Sequence, residues 1–468
     1  MPVKKRLPLV QWIAFSACLL LIFQQAPAQS ADLPDSQELL NGLRVLIWTK
    51  PGNPEVVVKL RIHSGSAFDL AGKSGEMALL GDILFPDPAT ADYFTDQMGG
   101  KLNVSVNYDS MTITMRGKAE QVDHMFEVLR NGILSTPLTP DIVARVRENR
   151  IKLLKDSSVS PSIVADRAIA VRLFGDFPYG RPSSGSPEDL GRVNRGDLML
   201  VHERFMSSNN AMLAIIGGVN KSRALRTLKQ LFGPWRKSEQ IVPATFQAAK
   251  PPDSKLLIVN APSVSTEVRI AWRGVSRSDR DYYTAKIAAK IAEDRWESSN
   301  PELSSKPIFA RSESFILPGI VVVGASVAHT AAVNTIGSAR KAVESLITTP
   351  VAPAELERAK REVAIENNSP TANLLEDQPD AWLDMDTYKL TAIQDRPSLI
   401  AAVSPADIQR VAARLFKDTP LATVAVGDAP QLKLALQGQM PFEVLGEIVA
   451  PPPSTKTPTK PEIKTNPN

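Results

Sequence analysis

The chain repeats itself once, and that repeat limits its fold more than any other feature. Arg44–Ile62, RVLIWTKPGNPEVVVKLRI, matches Lys255–Arg273, KLLIVNAPSVSTEVRIAWR, at an offset of 211. Thr136–Pro140, TPLTP, matches Thr349–Pro353, TPVAP, at an offset of 213. Ala214–Val219, AIIGGV, matches Val424–Ala429, VAVGDA, at 210. Each match is short, but all three keep their order and spacing from one end of a copy to the other. Solenoid repeats run to about 50 residues, so this period describes a duplicated domain.

Hydrophobic periodicity outlines one copy. Leu43–Trp48 and Val56–His63 predict strands, and Leu102–Tyr108 with Met111–Arg116 predict a hairpin across Asp109-Ser110. Glu76–Phe85 predicts a short helix, with Met77, Leu80 and Leu84 on one face. Gln121–Ile133 and Asp141–Lys155 predict helices, the second opened by Pro140. Asp189–Arg204 and Ser222–Leu231 predict helices around the strand Ala211–Ile216. Mixed strands and helices with an antiparallel hairpin place the chain in the α+β class. The expected organisation is a first domain over 29–237, a linker over 238–254 and a second domain over 255–442. A Pro/Thr/Lys-rich tail over 443–468 is expected to be disordered, having too little apolar surface to repay its ordering.

Met1–Ala28 reads as a secretory signal peptide. Lys4, Lys5 and Arg6 precede an apolar core from Trp12 to Phe23, and Ala26-Pro27-Ala28 fits a cleavage site. The apolar core is shorter than the roughly 20 residues of a membrane span, and an uncleaved anchor starting near Leu7 is the alternative. The reading implies an exported, periplasmic protein with no integral membrane span in the mature chain. The only cysteine, Cys18, lies within this leader, which excludes disulfides, cysteine-ligated zinc and thiol catalysis from the mature chain. The formal charge of +4 falls to +1 without the three leader cations. Aromatic residues do not interleave with basic runs, so neither charge nor stacking points to nucleic acid.

Other chemistry finds little support. His63, His124, His202 and His329 do not pair at helical spacing with a second ligand. Gly72-Lys73-Ser74 mimics the end of a phosphate-binding loop, but Ala67 stands where the first glycine belongs. Asp92 with Asp96, and Glu376 with Asp377 and Asp380, read as helix caps or surface charge rather than a calcium loop.

Longer segments resemble a known family. FPYGRPSSGSPEDLGRV from Phe177, RGDLMLVHERFMSSNNAMLAIIGGV from Arg195, LFGPW from Leu231 and APAELERAKRE from Ala352 are similar to segments of the insulinase/pitrilysin metallopeptidases. The match is to their short two-domain branch, which includes mitochondrial processing peptidase subunits, and it covers about residues 35–440. It implies two homologous α/β-roll domains facing each other as a clam shell. In such enzymes an H-x-x-E-H helix supplies two zinc ligands and the general base. Gly65–Phe85, GSAFDLAGKSGEMALLGDILF, keeps that frame through Leu79, Leu80, Ile83, Leu84 and Phe85. Here, however, the ligand positions carry Ala78 and Asp82, and the base position carries Gly81. A third, carboxylate ligand is expected on Asp141–Lys155. Glu148 is acidic there, but the register falls near Lys155. The family's substrate-holding Arg and Tyr in the second copy correspond to Glu302 and Phe309, with Arg311 or Arg295 as cations that could enter the cavity instead.

The resemblance therefore implies a non-catalytic member with no zinc of its own. Its expected role is to pair with a zinc-bearing H-x-x-E-H sibling and to bind extended peptide along a sheet edge. Two alternatives stand. One is a weak or atypical metalloendopeptidase using a set such as His63, Asp82 and Glu148. The other is a stand-alone homodimeric scaffold.

Overall fold

A computed structural model describes residues 33–157, 160–300, 308–367, 374–393 and 395–445. The leader, including Cys18, and the tail from 446 lie outside the described residues. Two six-stranded mixed sheets, each packed by helices, give an α+β architecture.

The first sheet uses β1 (Asp35–Glu38), β2 (Arg44–Thr49), β3 (Glu55–Ile62), β4 (Lys101–Val106), β5 (Met111–Lys118) and β6 (Ala211–Gly217), in the order β1-β2-β6-β3-β5-β4. The second uses β7 (Leu256–Asn260), β8 (Thr266–Arg273), β9 (Ile308–Glu313), β10 (Ile320–Val327), β11 (Leu421–Gly427) and β12 (Phe442–Val444), in the order β12-β7-β11-β8-β10-β9. Five strands of each sheet correspond, with β2 and β6 parallel as β7 and β11 are. The sixth differs. β1 precedes its sheet and runs antiparallel to β2, whereas β12 comes from the far end and runs parallel to β7. The expected end of the second domain at 442 thus falls inside β12.

Side chains alternate across a strand, and both sheets obey this. Val56, Val58, Leu60 and Ile62 of β3 face an outer core with the helices Glu76–Leu84 and Val122–Leu134. Val268, Ile270 and Trp272 of β8 do the same with Tyr282–Ser299 and Ala332–Thr348. The expected helix Asp189–Arg204 is instead two, Pro187–Leu190 and Arg195–Phe205. Asn194 caps the second through a reciprocal box with Asp197, which halts the helix periodicity between them.

The inner faces are covered crosswise. Leu46, Trp48, Val57, Met212 and Ile216 of the first sheet pack against Trp382 and Leu383 on the helix Leu374–Thr387 from the second half. Ala271, Val322, Val424 and Val426 of the second sheet pack against Ala165, Ile169 and Leu173 on the helix Pro161–Phe174 from the first. Each half therefore lends a helix to the other's sheet.

Candidate functional site

The helix Glu76–Leu84 is firmly placed. Gly75 precedes it with φ of 98°, and a β-carbon there would meet Gly185 Cα at 2.8 Å. Asp69 takes over the capping: its carboxyl accepts from Gly75 N at 2.7 Å and Met77 N at 3.0 Å. Burial pushes the Asp69 carboxyl up to about 7, against the lowering effect of those two bonds. Buried Glu76 accepts from Leu70 N at 2.9 Å.

Ala78 and Gly81 are buried, and Asp82 is exposed. A β-carbon at Gly81 would already lie 3.2 Å from Val104 Cγ1 and 3.3 Å from Val106 Cγ2, so edge strand β4 crowds the position of the expected base. Asp82 is bound to Arg150 of the helix Pro140–Ser157 at 2.7 Å, and the same guanidinium donates to Ser184 O at 3.0 and 2.9 Å. A protein cation thus stands against the one polar residue of the former ligand frame. Glu148 and Lys155 of that helix are exposed. His63 lies elsewhere, with Nε2 2.6 Å from Asp386 and Nδ1 3.1 Å from Thr387. Among the described residues no group of three or more His, Cys, Asp or Glu side chains is placed to hold a metal ion. The zinc of a metallopeptidase does not fit this site. Of the two ligand positions on this helix, Ala78 has no donor atom and Asp82 is paired with Arg150, and Gly81 offers no base.

Of the second-copy pair, Glu302 falls outside the described residues. Phe309, on β9, lies 4.8 Å from the guanidinium carbons of both Arg269 and Arg311. Arg295 binds Glu355 at 2.6 Å and Ser345 O at 2.8 Å, away from the cleft. Arg311 lines the cleft between the halves, a cavity of about 340 Å³ bounded by Tyr108, Arg167, Tyr179, Ser184, Glu313 and Phe315, among others. Beside it the two hairpin tips meet. Asp109 accepts from Ile316 N at 3.1 Å, and Leu317 N donates to the Tyr179 hydroxyl at 3.1 Å. Burial pushes the Asp109 carboxyl up to about 7 as well, and raises Tyr108, Tyr179 and Tyr388.

Sequence reasoning missed the polar seam between the halves. Lys59 binds Asp380 at 2.7 Å, Arg61 binds Asp384 at 2.7 Å, and Lys101 binds Glu376 at 2.7 Å. Glu376 and Asp380 are therefore not caps or solvated charge. They hold one half to the other. Arg44 and His63 share Asp386; burial alone would raise this carboxyl, but these two partners hold it well below the usual range. Burial lowers His63 despite Asp386. The signal was there: Lys59 and Arg61 are same-face cations inside an apolar strand, and Glu376, Asp380 and Asp384 are spaced by four.

The other singled-out residues have local partners. His202 contacts Thr136 Oγ1 at 3.1 Å and Ile133 O at 3.0 Å, and His329 contacts Thr266 Oγ1 at 2.7 Å. His124 lies 3.5 Å from Glu127 on the surface. Lys73 pairs with Asp197 and Ser74 donates to Asp189. Asp92 and Asp96 are exposed on a helix whose cap is Asp87. Among the described residues no helix is long and apolar enough to cross a membrane.

Residues 192–363 match the family model described as "Peptidase M16 inactive domain". Over this stretch the chain is similar to M16 peptidases. An uncharacterised zinc protease of Rickettsia bellii is 20% identical over 219 residues, covering 46% of this chain and 52% of that protein. The mitochondrial-processing peptidase subunit beta of Neurospora crassa is 20% identical over 261 residues, covering 54% and 55%. The chain spans about half the length of these curated relatives. The crystal structure of a peptidase M16 inactive domain from Pseudomonas fluorescens superposes with a TM-score of 0.75 at 16% identity, covering 85% of this chain and 98% of that one. A protease from Helicobacter pylori gives 0.74 at 18%, covering 84% and 100%. At these identities the superpositions speak for the M16 fold.

Proposed function

We propose that this chain is an exported, non-catalytic M16 subunit that pairs with a sibling carrying an intact H-x-x-E-H and presents extended peptide to it. The observation that carries the reading is the replacement of a zinc frame by a packed, charge-neutral contact. Ala78 offers no ligand, Gly81 offers no base and is crowded by β4, and Arg150 pairs with Asp82. The scaffold around them is intact, which suits a chain kept for binding rather than for hydrolysis. The peptide would add to β4, an edge strand with a partner only on its β5 side among the described residues.

Co-expression with an H-x-x-E-H sibling, sought first in the adjacent reading frames, tests this. The two chains are expected to co-elute, and the sibling's endopeptidase activity on a quenched-fluorescence peptide is expected to rise with this chain present. Separate elution together with indifferent sibling activity would sink the reading. Zinc analysis of untagged protein addresses the metalloenzyme alternative, where one bound zinc per chain would overturn the non-catalytic assignment.

A further inference from the structure

We propose that the cleft between the halves is a subsite for a carboxylate carried on an apolar group, and that Arg167 is the residue that recognises it. The cleft is about 340 Å³, room for one side chain or chain end rather than a long peptide. Apolar side chains form part of its walls, Ile169, Phe174, Phe315 and Val322 among them. Its two carboxylates are already neutralised. Asp166 lies 2.8 Å from Arg269 and 3.2 Å from Arg311, and Glu313 lies 2.7 Å from Arg311. Arg269 also holds Glu267 at 3.0 Å. Arg167 differs. It lines the same cleft and is half-buried, yet among the described residues it makes no ion pair and no hydrogen bond.

A half-buried arginine with five unused donors thus lines this cleft, and a carboxylate is the partner its planar fork fits best. The apolar wall opposite then selects what the carboxylate is attached to. The carboxylate could come from a glutamate or aspartate side chain or from a chain terminus. The natural ligand, a peptide, rests on the functional reading above; the recognition chemistry does not.

The test uses the isolated full chain, so its failure is distinct from failure to find a sibling. The probe is 3-phenylpropionate, followed by saturation-transfer NMR, with uncharged 3-phenylpropanamide as its match. The acid is expected to bind at least about tenfold more tightly than the amide. Arg167→Gln is expected to lose that preference and Arg167→Lys to recover part of it. Equal binding of acid and amide, an unchanged preference in Arg167→Gln, or no transfer from the acid up to about 10 mM would each overturn the proposal. Two hexapeptides then separate the sources. One has a free C-terminus and no acidic side chain; the other is amidated and has one internal glutamate. Displacement of the probe by either one supports the subsite and names the source, and displacement by neither overturns a peptide as its ligand.

Discussion

Asp109 carries the most testable chemistry of any single residue here. Its carboxyl is buried at the contact of the two hairpin tips, facing Tyr179 and Tyr388, and titrates near 7. An acid whose folded value lies above its unfolded one binds an extra proton in the folded state between those values. Its contribution is therefore complete below about pH 4 and is lost as pH rises through about 7, at up to about 1.4 kcal/mol per pH unit. Asp386, held low, acts in the opposite direction and only under acid conditions. Asp109→Asn keeps an acceptor for Ile316 N and removes the titration. In thermal melts from pH 5 to 8, the variant is expected to lose less stability than the parent; parallel curves would refute the assignment. Gly81 makes a second prediction at this scale. The triple variant Ala78→His, Gly81→Glu, Asp82→His must fit a side chain where Val104 and Val106 already crowd a β-carbon. It is expected to lose about 1–3 kcal/mol and to bind zinc well below one per chain by elemental analysis. Full occupancy at parental stability would show that only the ligands had been missing.

Between elements, the crossed helices are held by equivalent ion pairs. Lys59 on β3 faces Ala214, and Arg269 on β8 faces Val424, the same register point in each sheet. Lys59 meets Asp380 and Arg269 meets Asp166, each on the helix lent by the other half. Arg269 has a side chain only 1% exposed and bonds Asp166, Glu267 and Ser162 together. Truncating one member of a buried pair strands the others, at a cost of about 3–5 kcal/mol. Arg269→Ala is expected to lower the denaturation midpoint by that order. The double variant with Asp166→Ala is expected to recover part of the loss, and strict additivity would argue against a coupled pair. The Asp82–Arg150 contact is a milder case. Asp82 is 40% exposed there, so Arg150→Ala is expected to cost about 1 kcal/mol or less.

At the scale of the whole molecule, each half covers the inner face of the other's sheet. Separated, the first sheet would expose Leu46, Trp48, Val57 and Met212 while leaving Lys59 without Asp380. The second would uncover Val322, Val424 and Val426. We expect one cooperative unfolding transition for the full chain by calorimetry. We also expect residues 33–237 expressed alone to be insoluble or molten, and to fold when co-expressed with the remainder. Two resolved transitions, or a natively folded isolated half, would contradict this. The two halves expected from family resemblance meet face to face. Their inner faces are apolar interfaces sealed by exchanged helices, and the described cleft at the hairpin tips is small.

The sequence alone determined the duplication, the alternating strands and the lack of donor atoms at Ala78 and Gly81. All three are local or periodic properties: a repeat is visible as spacing, a pleat as alternation, and Ala78 and Gly81 lack donors in any conformation. The exchanged helices Pro161–Phe174 and Leu374–Thr387 were not legible. Their periodicity says that they bury a face but not against which sheet, and Pro379 interrupts the second. Nor could the sequence choose between Arg295 and Arg311, which sit in one stretch of the second copy and differ only in which side of that domain they reach. Charges in the inner strands likewise found their partners in the opposite half of the chain, as Lys59 did with Asp380. Pairing between such distant segments is set by how the two sheets dock, so only the tertiary structure could decide it.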